Sequence, residues 1–150
     1  MKKIALVPLI LLGLNACNNK PAENTTVPTQ EKEPTPAVGC YAYYSGKDTV
    51  FLQVRITGNK ISGNLMYHYF EKDKNDGTLQ GEMKGDTLFA LYTFRSEGVE
   101  SSRAIAFLKK DESFIEGYGK VDAATGAPDF SDKAAIRFDD KLPLKRTDCK

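Results

Sequence analysis

The densest run of groups able to do chemistry is the polar stretch from Arg95 to Arg103, which lies between two apolar runs and includes Glu97. Two guanidinium groups near the end of a hairpin are typical of a site for an anionic ligand or a partner's carboxylate, because arginine binds such groups through paired hydrogen bonds. The alternative is an exposed hairpin end whose ion pairs contribute little stability.

Aromatic side chains within the apolar runs form a second group of candidates. Tyr67, Tyr69, Tyr92, Phe94 and Phe107 share faces with aliphatic residues in the alternating pattern. Such side chains are suited to lining a cavity for a flat or apolar ligand. The alternative is that they simply fill the interior of a small barrel.

Glu116 and Tyr118 flank Gly117, and at this spacing they share one face of a strand. We therefore treat both as candidate ligand contacts. The complete set of predicted ligand-binding residues is Tyr67, Tyr92, Arg95, Glu97, Arg103, Glu116 and Tyr118.

The sequence offers little for metal binding or catalysis. It has one histidine, His68, which alternation places on the face opposite Tyr67, and only three cysteines. The acidic run that ends at Gly77 fails as a calcium loop, because counting back from the glycine puts Lys72 in the first ligand position. We expect no catalytic residue, metal or cofactor. An enzyme that uses Glu97, Glu116 or His68 is a further hypothesis, which requires two of them to converge.

Composition and charge narrow the class of protein. The chain has 150 residues, of which 41% are hydrophobic and 27% are charged, and its formal net charge is +1. These values are typical of one ordinary globular domain. The near-zero charge argues against a nucleic-acid partner, which requires a basic surface.

The elements that must position the candidates are strands, because hydrophobicity alternates with period two from Gly39 onward. Turn residues separate the apolar runs. Residues 121–133 are predicted to form a loop or one helical turn. The eight predicted strands lie near residues 40–45, 48–57, 60–70, 77–84, 86–95, 102–109, 113–120 and 134–139.

A weak internal repeat favours a barrel. Residues 48–52 recur as residues 86–90, and aliphatic-x-Gly triplets end at Gly63, Gly81 and Gly117. Glycines at matched places in successive hairpins let a sheet curl. We therefore predict an all-β fold, an antiparallel up-and-down meander that forms a closed or nearly closed small barrel. Such a barrel is filled or holds one small ligand.

The first residues indicate export. A basic start is followed by an apolar run from Ile4 to Leu14, which spans about 16 Å as a helix and is too short to cross a bilayer. The following Leu14-Asn15-Ala16-Cys17 resembles the bacterial lipobox. That resemblance implies that residues 1–16 are removed and that Cys17 is lipidated. The alternative is a plain secretory signal with a coincidental cysteine.

The segment 17–38 is interpreted as the lipidated cysteine and a disordered tether, because it holds four of the seven prolines and few apolar side chains. Removal of residues 1–16 takes away Lys2 and Lys3 and changes the net charge from +1 to −1. Asn18, rather than Asp, follows Cys17. Under the sorting rule of one large bacterial group this favours the outer over the inner membrane, on the periplasmic side or the cell surface.

Cys40 and Cys149 lie at the two ends of the predicted domain, residues 39–150. With Cys17 used for lipid, an even pair remains in an oxidising compartment. The first and last strands of a meander barrel are neighbours, so we predict a disulfide between these cysteines. The alternative is two free thiols.

The layout resembles the small barrels of the calycin and lipocalin kind. Gly39-Cys40-Tyr41 stands where those folds often place Gly-x-Trp, and Arg137 is the candidate for their late arginine that covers this aromatic. Residues 71–109 also resemble a family of uncharacterised bacterial lipoproteins, a resemblance that implies no activity.

Together these features predict a non-enzymatic, membrane-anchored envelope lipoprotein that binds a small ligand or an envelope protein. We expect a monomer with no nucleic-acid partner. The alternative is a protein inhibitor similar to the lipid-anchored lysozyme inhibitors, which are also small disulfide-bearing barrels. Ser45-Gly46-Lys47 is too short to match their inhibitory loop.

Overall fold

The computed structural model describes residues 35–72 and 74–149. In these residues, a short 3-10 helix spans Lys133–Ala135. The strands are β1 Ala37–Ser45, β2 Asp48–Thr57, β3 Lys60–His68, β4 Lys74–Lys84, β5 Thr87–Ser96, β6 Val99–Lys110, β7 Ser113–Tyr118, β8 Lys120–Val121, β9 Pro128–Asp129, β10 Arg137–Phe138 and β11 Leu144–Thr147.

The strands form a closed antiparallel barrel. Strands β1 to β7 pair in chain order, and β11 lies between β7 and β1 and closes the sheet. The predicted all-β meander of eight strands in a closed barrel is confirmed. Closure pairs the backbone groups that would otherwise form two open sheet edges.

The closing strand is not the one predicted. Residues 134–139 were expected to form it, but β11 begins at Leu144, whose side chain is buried in the core. Ile136 and Phe138 instead cover the outer face of Gly117, where an added Cβ would lie 2.6 Å from the Phe138 ring. Their alternation therefore reflects packing on the outside of β7.

The region 121–133 contains both loop and turn structure. Strands β8 and β9 form a small separate hairpin. The Asp132 side chain then accepts a hydrogen bond from the Ala134 backbone and caps the 3-10 helix.

Strand β1 begins earlier than expected. Ala37 and Val38 pair with Ile56 and Arg55 of β2, so the last residues of the predicted tether belong to the barrel. Cys17, the predicted signal peptide and tether residues 18–34 lie outside the described residues. The part of the chain that the structure describes contains no helix long and apolar enough to cross a membrane.

Alternating side chains fill the middle of the barrel. The buried cluster draws on β1 to β7 and on β11. Gly63 and Gly81 allow neighbouring strands to approach closely, because an added Cβ would collide with the carbonyl oxygen of Gln53 or of Phe89. The largest fully buried side chains are Tyr92, Phe107, Phe114, Leu52, Leu65, Leu79, Leu88 and Val54.

The predicted disulfide between Cys40 and Cys149 is confirmed, and it joins residues 109 apart in sequence. Cys40 is in β1 and Cys149 lies just beyond β11, its neighbour in the sheet. The covalent link therefore supports the same closure as the hydrogen bonds between these strands.

Tyr41 is buried in the core, where its ring meets Phe114 edge-on. The arginine nearest to its ring face is Arg146 of β11, at 6.0 Å. Arg137, which was expected there, pairs with Tyr118 in the short ladder between β10 and β7.

The meander gives the barrel two distinct ends. The β1–β2, β3–β4 and β5–β6 turns lie at one end, which we call the mouth end. The β2–β3, β4–β5 and β6–β7 turns lie at the other. Strand β1 begins at this second end, since Ala37 pairs with Ile56 beside the β2–β3 turn.

Candidate functional site

Inward-facing polar and aromatic side chains meet inside the mouth end. Alternation explains their placement. The buried residues Leu88, Ala90 and Tyr92 recur at every second position of β5. In β7, Glu116 and Tyr118 lie on the same face of the strand as the buried Phe114. We call this set the mouth cluster. Its members are Tyr67, Tyr69, Tyr92, Phe94, Arg103, Glu116 and Tyr118.

Two tyrosines form the floor of the mouth cluster. Tyr67 and Tyr92 are almost fully buried, and their rings meet at 65° with centroids 5.9 Å apart. The Tyr92 hydroxyl lies 3.0 Å from the Leu65 carbonyl oxygen and 2.9 Å from that of Asn75, to which it donates. These contacts tie the floor to β3 and β4 and fix its position.

The carboxylate of the cluster is Glu116, which interacts with two tyrosines. The Tyr67 hydroxyl donates to Glu116 Oε1 at 2.7 Å, and the Tyr118 hydroxyl lies 3.4 Å from Oε2. Burial raises the pKa of Glu116, while the Tyr67 hydrogen bond and the positive charge of Arg103 act in the opposite direction. The Glu116 carboxyl group therefore binds a proton more readily than the carboxyl group of an exposed glutamate does.

Burial also raises the pKa of the Tyr67 phenol well above its ordinary value, and the neighbouring Glu116 charge adds to this effect. Burial raises the pKa of Tyr118 to about 12, again with a contribution from Glu116. Both phenols are thus neutral hydrogen-bond donors at any physiological pH.

Arg103 is the cation of the cluster, and aromatic rings surround it. Its guanidinium carbon lies 5.2 Å from the Tyr67 ring centroid, 5.7 Å from that of Tyr92 and 5.6 Å from that of Phe94. Tyr92 and Phe94 stack with centroids 4.9 Å apart. A guanidinium packed on ring faces in this way keeps its N–H edge available for hydrogen bonds.

The Arg103 N–H groups have no protein partner among residues 35–72 and 74–149: neither a hydrogen-bond acceptor nor a carboxylate within 4.0 Å. Two other arginines do have one, since Arg95 lies 3.9 Å from Glu100 and Arg146 lies 3.5 Å from Glu112. Arg103 is only half-buried, so part of its side chain is accessible to solvent.

The structure brings together five of the seven predicted ligand-binding residues and separates the other two. Arg95 points outward with 76% of its side chain exposed and pairs with Glu100 across the β5–β6 hairpin. Glu97 lies in the turn itself, with a positive φ of 49°. For Arg95 and Glu97, the alternative interpretation, an exposed hairpin end, is therefore the correct one. Those brought together are Tyr67, Tyr92, Arg103, Glu116 and Tyr118.

Sequence reasoning missed the pairing of Glu116 with Tyr67, which are 49 residues apart. The available signal was alternation, since Glu116 has the same parity as the buried Phe114. Tyr69 and Phe94 were considered as lining residues and lie in the cluster, whereas Phe107 is fully buried in the core.

The candidate catalytic residues do not converge. His68 faces outward as predicted and its Nε2 lies 2.9 Å from Asp76, whereas Glu116 is inside and Glu97 is in a turn. The described residues contain no group of three or more histidine, cysteine, aspartate or glutamate side chains placed to hold a metal. The mouth cluster is thus equipped for binding through aromatic faces, one carboxyl group and one free guanidinium.

A separate groove of about 880 Å³ lies on the outer surface of the barrel, away from the mouth cluster. Phe89, Leu91 and Phe130 are among its apolar lining residues, and Arg55 and Glu82 are among its charged residues. Its charged side chains lie on the outer faces of the strands. The mouth cluster is therefore the better candidate site, because among the described residues it places a half-buried carboxyl group and a half-buried guanidinium beside two buried tyrosines.

Comparison with protein-family models, with curated proteins and with solved structures finds no similar protein, so the functional assignment must come from the geometry of the mouth cluster.

Proposed function

We propose that this chain is a non-enzymatic, lipid-anchored envelope protein whose barrel binds a small ligand at the mouth cluster. The observation that carries the proposal is the presence of Arg103 and Glu116 inside the barrel end, with the guanidinium donors of Arg103 unpaired.

Energetic cost supports a role in binding. A small barrel is most stable when its interior is filled with apolar side chains, and buried charged groups often reduce stability relative to apolar replacements. Glu116 is half-buried, and its partial burial raises the pKa of its carboxyl group, which is consistent with such a cost. Groups that weaken a fold in this way are frequent at functional sites.

Access supports the same role. Tyr67 and Tyr92 close the floor, whereas Tyr69, Phe94 and Arg103 are partly exposed and form the rim. A ligand entering from the mouth end would meet these rim groups first. The hydrogen bond between the buried Tyr67 and the half-buried Glu116 would lie below it.

The proposed anchor is compatible with this access. Cys17 and the tether precede β1, and β1 begins at the end of the barrel opposite the mouth cluster. A chain attached to the membrane through Cys17 would therefore join the barrel at the end opposite the mouth cluster. In this proposal the outer membrane is the favoured location, on the basis of Asn18.

A thermal-shift screen of the full chain in detergent micelles tests the proposal, with envelope lipids, sugars and small-molecule extracts of cells as additives. A ligand that binds the folded state raises the melting temperature. We expect stabilisation that is lost in Arg103→Met and kept in Glu112→Gln, a matched variant whose carboxylate lies outside the mouth cluster. Stabilisation of equal size in both variants, or none with any additive, would contradict it.

A second candidate, a protein inhibitor or another binder of an envelope protein, is favoured by exposed apolar side chains at the mouth end. Tyr44, Phe70, Val99 and Tyr118 are exposed large side chains near the mouth-end turns. Exposed apolar patches often mark protein contacts. A lysis-protection assay with lysozyme tests the inhibitor version, and absence of protection at micromolar protein would remove it.

A further inference from the structure

We propose that the ligand of the mouth cluster carries an oxyanion, a carboxylate or a phosphate, which Arg103 binds, and a flat apolar part that packs on the aromatic rim. This inference rests on the proposed function, and it names the chemical class of the ligand.

The surroundings of Arg103 determine which of its atoms a ligand can reach. Three ring centroids lie 5.2 to 5.7 Å from its guanidinium carbon, so aromatic side chains already cover part of the cation. A cationic ligand would have to displace Arg103 from these rings. The N–H edge, which is free, attracts acceptors instead.

An oxyanion is the acceptor that best matches this edge. Carboxylate and phosphate oxygens accept two parallel hydrogen bonds from a guanidinium, and such charge-assisted pairs are short and strong. The rings restrict the guanidinium before the ligand arrives, which lowers the entropic cost of binding. No carboxylate of the described residues fills this role, since Glu116 lies beyond ion-pair distance of Arg103.

Glu116 affects how strongly the site binds an anion. Its Oε1 accepts the Tyr67 hydroxyl, so this carboxyl group is held in place and does not turn to pair with Arg103. When ionised it repels a nearby anion, and removing its charge should strengthen anion binding. The apolar part of the ligand would contact Tyr69 and Phe94, the partly exposed rings of the rim.

Four probes of similar size separate the chemical classes: benzoate, phenyl phosphate, benzyl alcohol and benzylamine. Each is titrated into the full chain in detergent micelles, and the side-chain Nε–H resonance of Arg103 is followed by NMR. We expect saturable shifts with benzoate or phenyl phosphate at millimolar concentrations and at least about tenfold weaker binding of the other two. Comparison of the affinities for benzoate and phenyl phosphate then indicates whether the site prefers a carboxylate or a phosphate.

Three variants assign the effect. Arg103→Lys keeps the charge but removes the planar fork, and should weaken benzoate binding by about tenfold. Glu116→Gln should strengthen it several-fold, and Glu112→Gln should leave it unchanged. The backbone amide spectrum of each variant confirms that the fold is kept.

Two results would overturn the inference. Equal or tighter binding of benzyl alcohol or benzylamine would show that the site prefers another chemistry, while leaving the proposed function intact. If none of the probes shifts Arg103, the oxyanion assignment is wrong, and the screen with cell extracts decides separately whether the mouth cluster binds any ligand.

Discussion

The hydroxyl of Tyr67 donates a 2.7 Å hydrogen bond to the Glu116 carboxylate across the interior of the barrel. Tyr67 belongs to β3 and Glu116 to β7, strands that are not neighbours in the sheet. This contact therefore joins opposite walls at the mouth end and places a carboxyl group beneath the aromatic rim.

Replacing Tyr67 by Phe should raise the pKa of Glu116 further, because the hydrogen bond from Tyr67 favours the ionised carboxylate. The variant should also lose about 1.5–3 kcal/mol of stability at neutral pH, the usual range for a hydrogen bond to a charged group. An NMR titration of the Glu116 side-chain carbonyl carbon measures the first effect and urea unfolding the second. Tyr118→Phe is the control, since its 3.4 Å contact is longer and its loss should matter less. Equal effects of the two variants would contradict this ranking.

Glu116 should make the protein less stable as pH rises. Its pKa in the folded protein is raised above the ordinary value of 4.5. The folded state thus binds the proton more tightly than the unfolded state, and the stabilisation is complete below pH 4.5. It is lost as pH rises through the raised folded pKa, and the Glu116 contribution then becomes constant.

Urea unfolding of the natural chain and of Glu116→Gln between pH 4 and 8 measures this contribution as the difference between the two curves. The variant should gain stability relative to the natural chain as pH rises, since an amide does not ionise. Glu112→Gln, whose side chain is exposed, serves as the control. A constant difference over the whole range would mean that the Glu116 pKa is not raised.

Reduction of the Cys40–Cys149 disulfide should destabilise the barrel considerably. The bond closes a loop of 109 residues, for which the chain-entropy model gives about 4–5 kcal/mol. Unfolding in urea with and without a reductant measures the change. The same comparison with Cys17→Ala controls for effects outside this pair. A difference below about 1 kcal/mol would show that the β1–β11 pairing closes the barrel without covalent help.

Gly81→Ala tests the tight coiling of the sheet. An added Cβ at this position would collide with the Phe89 carbonyl oxygen and approach Ala90, which are backbone and core atoms of the neighbouring strand. We expect a loss of about 1–3 kcal/mol or more, as for other overpacked sites. Gly46→Ala is the matched control, because its Cβ meets open space and only its φ of +59° is unfavourable. A smaller loss at Gly81 than at Gly46 would contradict the close strand approach.

Alternation and turn residues were sufficient to predict the barrel and most of its strands, because each strand has a core face and a solvent face. The prediction of β11 failed because only Leu144 of its four residues is buried, too short a signal to detect. Ile136 and Phe138 alternate as in a closing strand, which led to the wrong prediction of residues 134–139, but they cover Gly117 from outside the barrel.

The candidate site was predictable in part. Residue type and face identified Tyr67, Tyr92 and Glu116, and the polar run between two apolar runs identified Arg103. Arg95 shares the chemistry of Arg103 but has the opposite orientation, which alternation with Tyr92 and Phe94 already indicates. The contact between Tyr67 and Glu116 depends on the closure and radius of the barrel, which no local pattern encodes.

Native mass spectrometry of the full chain, extracted from membranes in a mild detergent, tests ligand binding at the mouth cluster most directly. We expect a lipidated protein that carries an additional small molecule, and we expect Arg103→Met with a retained fold to lack it. The same mass increment in the natural chain and in the variant would contradict the assignment of the mouth cluster as a binding site. So would a natural chain that carries no increment even after incubation with cell extracts.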